Sequence, residues 1–335
     1  MRVKRVVFAV DSHTMGEPTR IVVGGIPHIP GKTMAEKKKY LEKEIDALRT
    51  ALMLEPRGHR DMFGSILTAP VAEEADLGIV FMDSSGYLNM CGHGTIGAVT
   101  VALETGILPA NEPETRVVLD TPAGLVRAVA RVSGERVASV TVENVPAFMY
   151  RKDIKVVLPD QGEITLDISY GGNFFAIVPV EQFGLDIIPE NGQILSSLGM
   201  KILQAVREQV SVVHPEHPHI NSVDLVEFSG KPLGSMGHAR NAVVFGKAQL
   251  DRSPCGTGTC AKMASLFAKG QLSLGQEFIH ESIIGTTFAG RLLQETKVGD
   301  YPAVIPQITG RAFITAIQQF IIDPEDPLRD GFFLG

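Results

Sequence analysis

The chain is predicted to be a mixed α/β (α+β) protein assembled from two similar halves. Short Val- and Ile-rich runs alternate with a few segments of helical spacing. A five-residue motif occurs twice, as CGHGT at 91–95 and CGTGT at 255–259. Each copy opens an apolar run that closes on a glycine, Gly106 or Gly270, the same distance after its cysteine, as for helix C-termini of equal length.

Runs 3–10, 77–82, 116–119 and 242–245 are expected strands. Thr33 followed by Glu36 forms a capping-box start, after which Leu41, Ile45, Leu48 and Leu52 recur on one helical face, with the charged run 36–39 as its solvated side. In the second half Leu198, Ile202, Ala205 and Val206 mark a helix expected to begin near Ser196 or Ser197. Each half therefore runs helix, strands, cysteine motif, helix. The helix after the first motif is apolar on nearly all sides (Ile96, Ala98, Val99, Val101, Ala102, Leu103) and should be wrapped by other structure. The one after the second motif keeps a polar stripe of Lys262, Ser265 and Lys269. The expected division is 1–128 with 309–335, carrying Cys91, and 129–308, carrying Cys255.

The 335 residues allow two modest domains, and the net charge of −7, with no basic stripe interleaved with aromatics, disfavours nucleic acid as a partner. Asp11 cuts the first apolar run short of a signal-peptide core, and no later run suits a bilayer span, so neither membrane nor secretion is expected. Three cysteines argue for reduced thiols rather than a disulfide framework, and for a cytoplasmic protein.

A helix N-terminus presents unpaired N–H groups and partial positive charge; glycines beside it let a ligand approach the backbone, and the same field lets a cysteine hold or shed a proton near neutrality. Two such termini at one cleft would hold a carboxylate and set a thiol on either side of the carbon next to it. One thiolate would remove the α-proton, and the opposite thiol would return one, inverting the centre without a cofactor. The plainer reading of either cysteine alone is a small buried hydrophobe; duplication of the whole segment order favours the chemical one.

At these motifs the sequence resembles the proline racemase family: MCGHGTIG (90–97) and DRSPCGTGT (251–259) are similar to its two catalytic-cysteine signatures. Further blocks resemble it along the chain: DSHTMGEPTR (11–20), EPRGHRDMFG (55–64), GGNFFA (171–176) and DPEDPLRDGF (323–332). The resemblance implies a diaminopimelate-epimerase-like fold of two pseudo-symmetric α/β domains, each wrapping a sheet around a central helix. It implies a homodimer, chemistry without pyridoxal phosphate, and Cys91 and Cys255 as the two bases. His93 and Asp251 would lie near the ring nitrogen of proline, with Asp251 accepting from it, and the amides of Gly92, His93, Gly94, Gly256 and Thr257 would hold the carboxylate. Two cysteines argue against a trans-3-hydroxyproline dehydratase, in which one is typically Ser or Thr. Racemases resemble this chain in having Phe at the positions of Phe63 and Phe245, an apolar wall that would leave a ring hydroxyl unpartnered at about 1–3 kcal/mol. Proline is thus expected over 4-hydroxyproline.

Cys260 is read as packing. A redox or metal protein using Cys255 and Cys260, and an imino-acid-binding protein without turnover, are the alternatives from other classes. His214, His217 and His219 are broken up by Pro215 and Pro218 and read as a surface loop without metal. No role is assigned to His13, His59, Arg20 or Arg57.

Overall fold

The computed structural model describes residues 5–334. It divides into two compact units: the described residues up to Val142 with those from Gly310 onward, and Glu143–Thr309. In the first unit β1 (Arg5–Thr14), β2 (Glu17–Gly24), β3 (Phe63–Thr68), β4 (Leu77–Asp83), β5 (Tyr87–Leu88), β6 (Glu114–Thr121), β7 (Gly124–Ser133) and β8 (Arg136–Glu143) are joined by a returning strand, Ala312–Ile322. The returning strand pairs antiparallel with β1, and β1 with β2; β2 runs parallel to β3, and β4 parallel to β6. Parallel neighbours need a crossover. Helices α1 (Met34–Glu44) and α2 (Asp46–Met53) supply the first and α3 (Gly92–Glu104) the second.

The second unit repeats this plan. Strands β9 (Phe148–Leu158), β10 (Gly162–Tyr170) and β11 (Phe174–Pro179) lead into α4 (Gly192–Gln209), which crosses to β12 (Val223–Gly230), parallel to β11. Then β13 (Ala239–Phe245) and β14 (Gln249–Leu250) precede α5 (Gly256–Ala268), which crosses to β15 (Glu277–Glu281), parallel to β13. Antiparallel β16 (Thr287–Val298) and β17 (Tyr301–Gly310) complete it. In each unit the helix after the cysteine motif is the central one. Every residue of α3 from Gly92 to Leu103 is buried, and the helix touches β1, β2, β3, β7 and the returning strand. Helix α5 touches β9, β10, β11 and β16. An apolar helix with no solvent face can sit only inside such a wrap, and this is the diaminopimelate-epimerase-like arrangement that the resemblance implies.

Gly106 and Gly270 follow the two helices with φ of +74° and +68°, the left-handed turn their equal spacing predicts. Several local expectations change. The anticipated first helix is two, broken at Ile45 (φ −139°), although Leu41, Leu48 and Leu52 still share one core with Ile66 and Val80. Thr33 caps α1 by accepting from the Glu36 amide, whereas Glu36 reaches Lys32 rather than closing a reciprocal box. The charged run is not wholly solvated: Lys37 is buried, donates to the Ala69 carbonyl at 2.6 Å, and has its pKa lowered by that burial. Helix α4 starts at Gly192, a turn earlier than expected, and Ser196 points inward to donate to the Ala248 carbonyl. Ser265, in the polar stripe of α5, is buried against Asp167, which Lys269 also binds. His214 is no surface residue: it is buried, packs on Phe148 and Tyr170, and accepts from the amides of Glu216 and His217. Residues 128 and 129, the expected division, lie within β7.

Candidate active site

In the first unit Cys91 is the N-cap of α3, in ordinary extended backbone (φ −151°, ψ 126°), and its sulfur accepts from the Gly94 amide at 3.4 Å. The sulfur lies 3.2 Å from His93 Nδ1. A proton can be held between that thiol and imidazole, the pairing that activates cysteine nucleophiles and bases. The ring of His93 meets Phe63 edge-on at 4.3 Å, and its carbonyl accepts from the Thr14 hydroxyl, which fixes the first turn of the helix to β1. Gly94 has to be glycine. A Cβ there would stand 2.9 Å from Phe81 and 3.0 Å from Phe63, so the floor beneath Cys91 is aromatic.

In the second unit Cys255 opens α5, also buried, but with φ 56° and ψ 113°. This backbone costs an L residue about 1–3 kcal/mol and persists only where its surroundings fix it. They do so on both sides: the Cys255 amide donates to Ser253 Oγ, which donates to Asp251, and the Pro254 carbonyl accepts from Asn241 Nδ2 at 2.7 Å and Thr259 Oγ1 at 3.0 Å. Burial pushes the Cys255 thiol well above its ordinary value, and the negative charge of Asp251 adds to this against the opposing Gly258 amide. Both causes favour its protonated form. Phe245 packs on the same cluster as Cys255, with Phe175, Ile177 and Val243. The two thiols thus differ in chemistry: one sits beside an imidazole over aromatic rings, the other is a dry thiol near carboxyl groups.

The whole chain between residues 9 and 333 matches the family model described as proline racemase. The chain belongs to the proline racemase family. It is 54% identical over 334 residues to a proline racemase of Clostridioides difficile, each covered in full, and 48% identical to a 4-hydroxyproline 2-epimerase of Streptosporangium roseum, again over the full length of both. A solved hydroxyproline epimerase from Agrobacterium vitis, with trans-4-hydroxy-L-proline bound, superposes with a TM-score of 0.91 at 38% identity, covering 100% of this chain and 97% of that one. As a member of the family the chain is an isomerase of the amino-acid racemase and epimerase class.

Within this family frame the residues singled out in the sequence fall into two sets by unit. Cys91, Gly92, His93, Gly94 and Phe63 lie together at the start of α3; Cys255, Gly256, Thr257, Asp251 and Phe245 lie at or beside the start of α5. His93 reaches Cys91 itself, a contact the sequence did not foretell. Thr257 Oγ1 stands 3.8 Å from the Cys255 sulfur, so its side chain faces the thiol, as does the Gly258 amide. Asp251 Oδ1 is taken up by Ser253 through both its amide and its hydroxyl, each at 2.8 Å. Cys260 is fully buried and pushed up to about 12, chiefly by that burial, an environment that suits the packing role read from the sequence. The 360 Å³ cavity of the second unit lies further along α5, at Lys262, Leu266 and Lys269, and is not lined by Cys255. Sequence reasoning missed Asn241, Thr259, Glu227 and His280. Their signal was a polar or charged residue in a strand or helix that also carries apolar ones, too weak without the neighbours that the fold supplies.

Proposed function

We propose that the chain interconverts L- and D-proline without a cofactor, by a two-base mechanism in which Cys91 and Cys255 exchange protons at the α-carbon. The observation that carries this reading is the placing of a buried thiol at the N-cap of each central helix, where first-turn amides and the helix dipole suit a carboxylate. The chemistry requires one thiol on each face of the α-carbon. In one direction Cys91, as thiolate beside His93, removes the proton and Cys255, as thiol, supplies one; in the other the roles exchange. Amides of Gly92, His93, Gly94, Gly256 and Thr257 stabilise the charge that develops on the carboxylate, and Asp251 accepts from the cationic ring nitrogen. Phe63 and Phe245 give the ring an apolar wall, which favours proline over its 4-hydroxy derivative. The higher identity to a proline racemase than to a 4-hydroxyproline epimerase points the same way.

The test is incubation of the purified protein, stripped of pyridoxal phosphate, with L-proline in D₂O under reducing conditions. Optical rotation should fall while deuterium appears at Cα of D-proline. Trans-4-hydroxy-L-proline should be turned over with kcat/KM lower by about 10- to 100-fold, the range open to an apolar pocket facing an added hydroxyl. Saturable binding with constant rotation would make the chain a binding protein, and faster turnover of the hydroxylated substrate would make it an epimerase.

A second copy of the chain is the proposed partner, as in the family. An exposed apolar stripe supports it: Val6 and Phe8 on β1 lie beside Ile317 and Ile321 on the returning strand, with Ile317 80% exposed. Ile317→Glu is expected to convert a dimer to monomers in analytical ultracentrifugation at micromolar concentration; an unaltered dimer would place the interface elsewhere. Three cysteines in a chain of 335 residues, an odd number that suits no disulfide framework, support a reducing, cytoplasmic location.

A further inference from the structure

The two cysteine motifs differ in one letter of five, yet Cys91 has extended backbone and Cys255 a φ of 56°. The threonine that ends each motif shows why. Thr95 Oγ1 donates to the carbonyl of Cys91, whereas Thr259 Oγ1 donates to the carbonyl of Pro254, one residue further back, which Asn241 also binds. A hydroxyl has one proton. Having given it to Pro254, Thr259 Oγ1 accepts from His280 Nδ1 at 3.0 Å, a closer contact than the 3.5 Å between that nitrogen and Asn241 Nδ2, which places the His280 proton on Nδ1 and a lone pair on Nε2.

That lone pair faces Glu227 Oε1 at 3.8 Å. Glu227, Asn241, His280 and Thr259 are all fully buried. Glu227, Asn241 and His280 come from neighbouring strands β12, β13 and β15, on the face that α5 covers. Among the described residues, both carboxyl oxygens of Glu227, Nε2 of His280 and Oδ1 of Asn241 have no hydrogen bond of good geometry, although the Asn241 amide lies near enough to Glu227 to favour its charged form. Such a cluster is too costly to leave unsatisfied. A protonated Glu227 would give Nε2 the donor it needs. The donors then run in one direction, from Glu227 to His280 to Thr259 to the Pro254 carbonyl. The carboxyl also borders the reactive group: a Cβ on Gly258 would stand 2.6 Å from Glu227 Oε2 and 3.2 Å from the Cys255 sulfur.

We propose that Glu227 and His280 are positioning residues which, through Thr259 and Asn241, lock the Pro254–Cys255 peptide and so aim the Cys255 sulfur. This rests on the reading that Cys255 exchanges a proton with substrate. The groups facing Glu227 are His280 from β15, Asn241 from β13, and Lys262, Cys260 and Cys255 from α5. Burial raises the Glu227 pKa and keeps the acid neutral, while burial and Lys262 push His280 down to about 3, so both ends have the protonation that the chain of donors needs.

The test compares Thr259→Val, Thr259→Ser, Glu227→Leu and Glu227→Gln by kcat and KM for proline. Alongside, the pH dependence of iodoacetamide labelling is followed at Cys255 and Cys91 by peptide mass spectrometry. Thr259→Val and Glu227→Leu are expected to lower kcat by about ten-fold, the worth of one hydrogen bond, with KM changed less than about two-fold. They should also shift the labelling profile of Cys255 and leave that of Cys91 in place. Ser at 259 and Gln at 227, which still donate, should recover most of the loss. Unchanged kcat and an unshifted Cys255 profile in Thr259→Val would overturn the proposal. If Glu227→Leu does not fold, Thr259→Val and its Ser rescue decide alone. Racemisation retained in Cys255→Ser would instead overturn the two-base reading, and the labelling profiles would still judge the positioning role.

Discussion

Replacing either Cys91 or Cys255 by Ser is expected to lower the interconversion of L- and D-proline by about 10⁴-fold, the upper end of what a positioned proton-transfer group contributes. A serine hydroxyl keeps its proton at neutral pH, so it neither removes the α-proton nor returns one at a useful rate. One signature separates this from simple damage. Each variant retains one working thiol, which can remove a proton from the face it meets and put a solvent deuteron back on that same face. Cys91→Ser and Cys255→Ser should therefore wash deuterium into opposite enantiomers of proline without inverting either. Polarimetry follows inversion, and mass spectrometry of the recovered proline follows exchange. Racemisation at more than a few per cent of the original rate in either variant would rule out a mechanism that needs both sulfurs. Exchange into the same enantiomer by both variants would do so as well.

The parts of this site that were legible in the sequence are the parts made by contiguous residues. A cysteine flanked by glycines ahead of an apolar run is a local pattern, and its repetition announced both central helices and their glycine-ended C-termini at Gly106 and Gly270. Strands at 77–82, 116–119 and 242–245 were legible because β-branched runs have few other uses in a mixed fold. What could not be read depends on residues brought together from distant strands. Glu227, Asn241 and His280 each look like one polar residue among others of its strand, and only the pairing of β12, β13 and β15 makes them one cluster. Lys37 was misjudged for a related reason: a run of charges suggests solvent, but the Ala69 carbonyl that draws its ammonium inward lies 32 residues away. The contrast between the two cysteines was invisible for the same cause, since Phe81 and Glu227, which floor the two motifs, belong to other strands.

Arg20→Met is expected to cost about 3–5 kcal/mol of the stability of the first unit, the loss typical of stranding one member of a buried ion pair. Arg20 is 5% exposed and binds Asp11 through two parallel bonds of 2.8 Å, from Nε and Nη2. Its Nη1 donates at 2.6 Å to the carbonyls of both Leu52 and Arg57, and its guanidinium lies 4.3 Å over the ring of Phe320. One side chain thus ties β2 to β1, to the end of α2, to the loop after it and to the returning strand. Methionine fills much of the same volume and supplies none of the five-donor geometry. Among the described residues it leaves Asp11 with only Gln318 as a side-chain donor, and two carbonyls without their arginine. Urea unfolding of the wild type, Arg20→Met, Asp11→Asn and the double variant closes a thermodynamic cycle. The double variant should be more stable than the sum of the two single losses allows, because Asn at 11 removes the stranded charge while the methionine still packs on Phe320. A loss below about 1 kcal/mol for Arg20→Met would mean that the pair behaves as a solvent-exposed one, and additivity around the cycle would mean that the two residues do not act together.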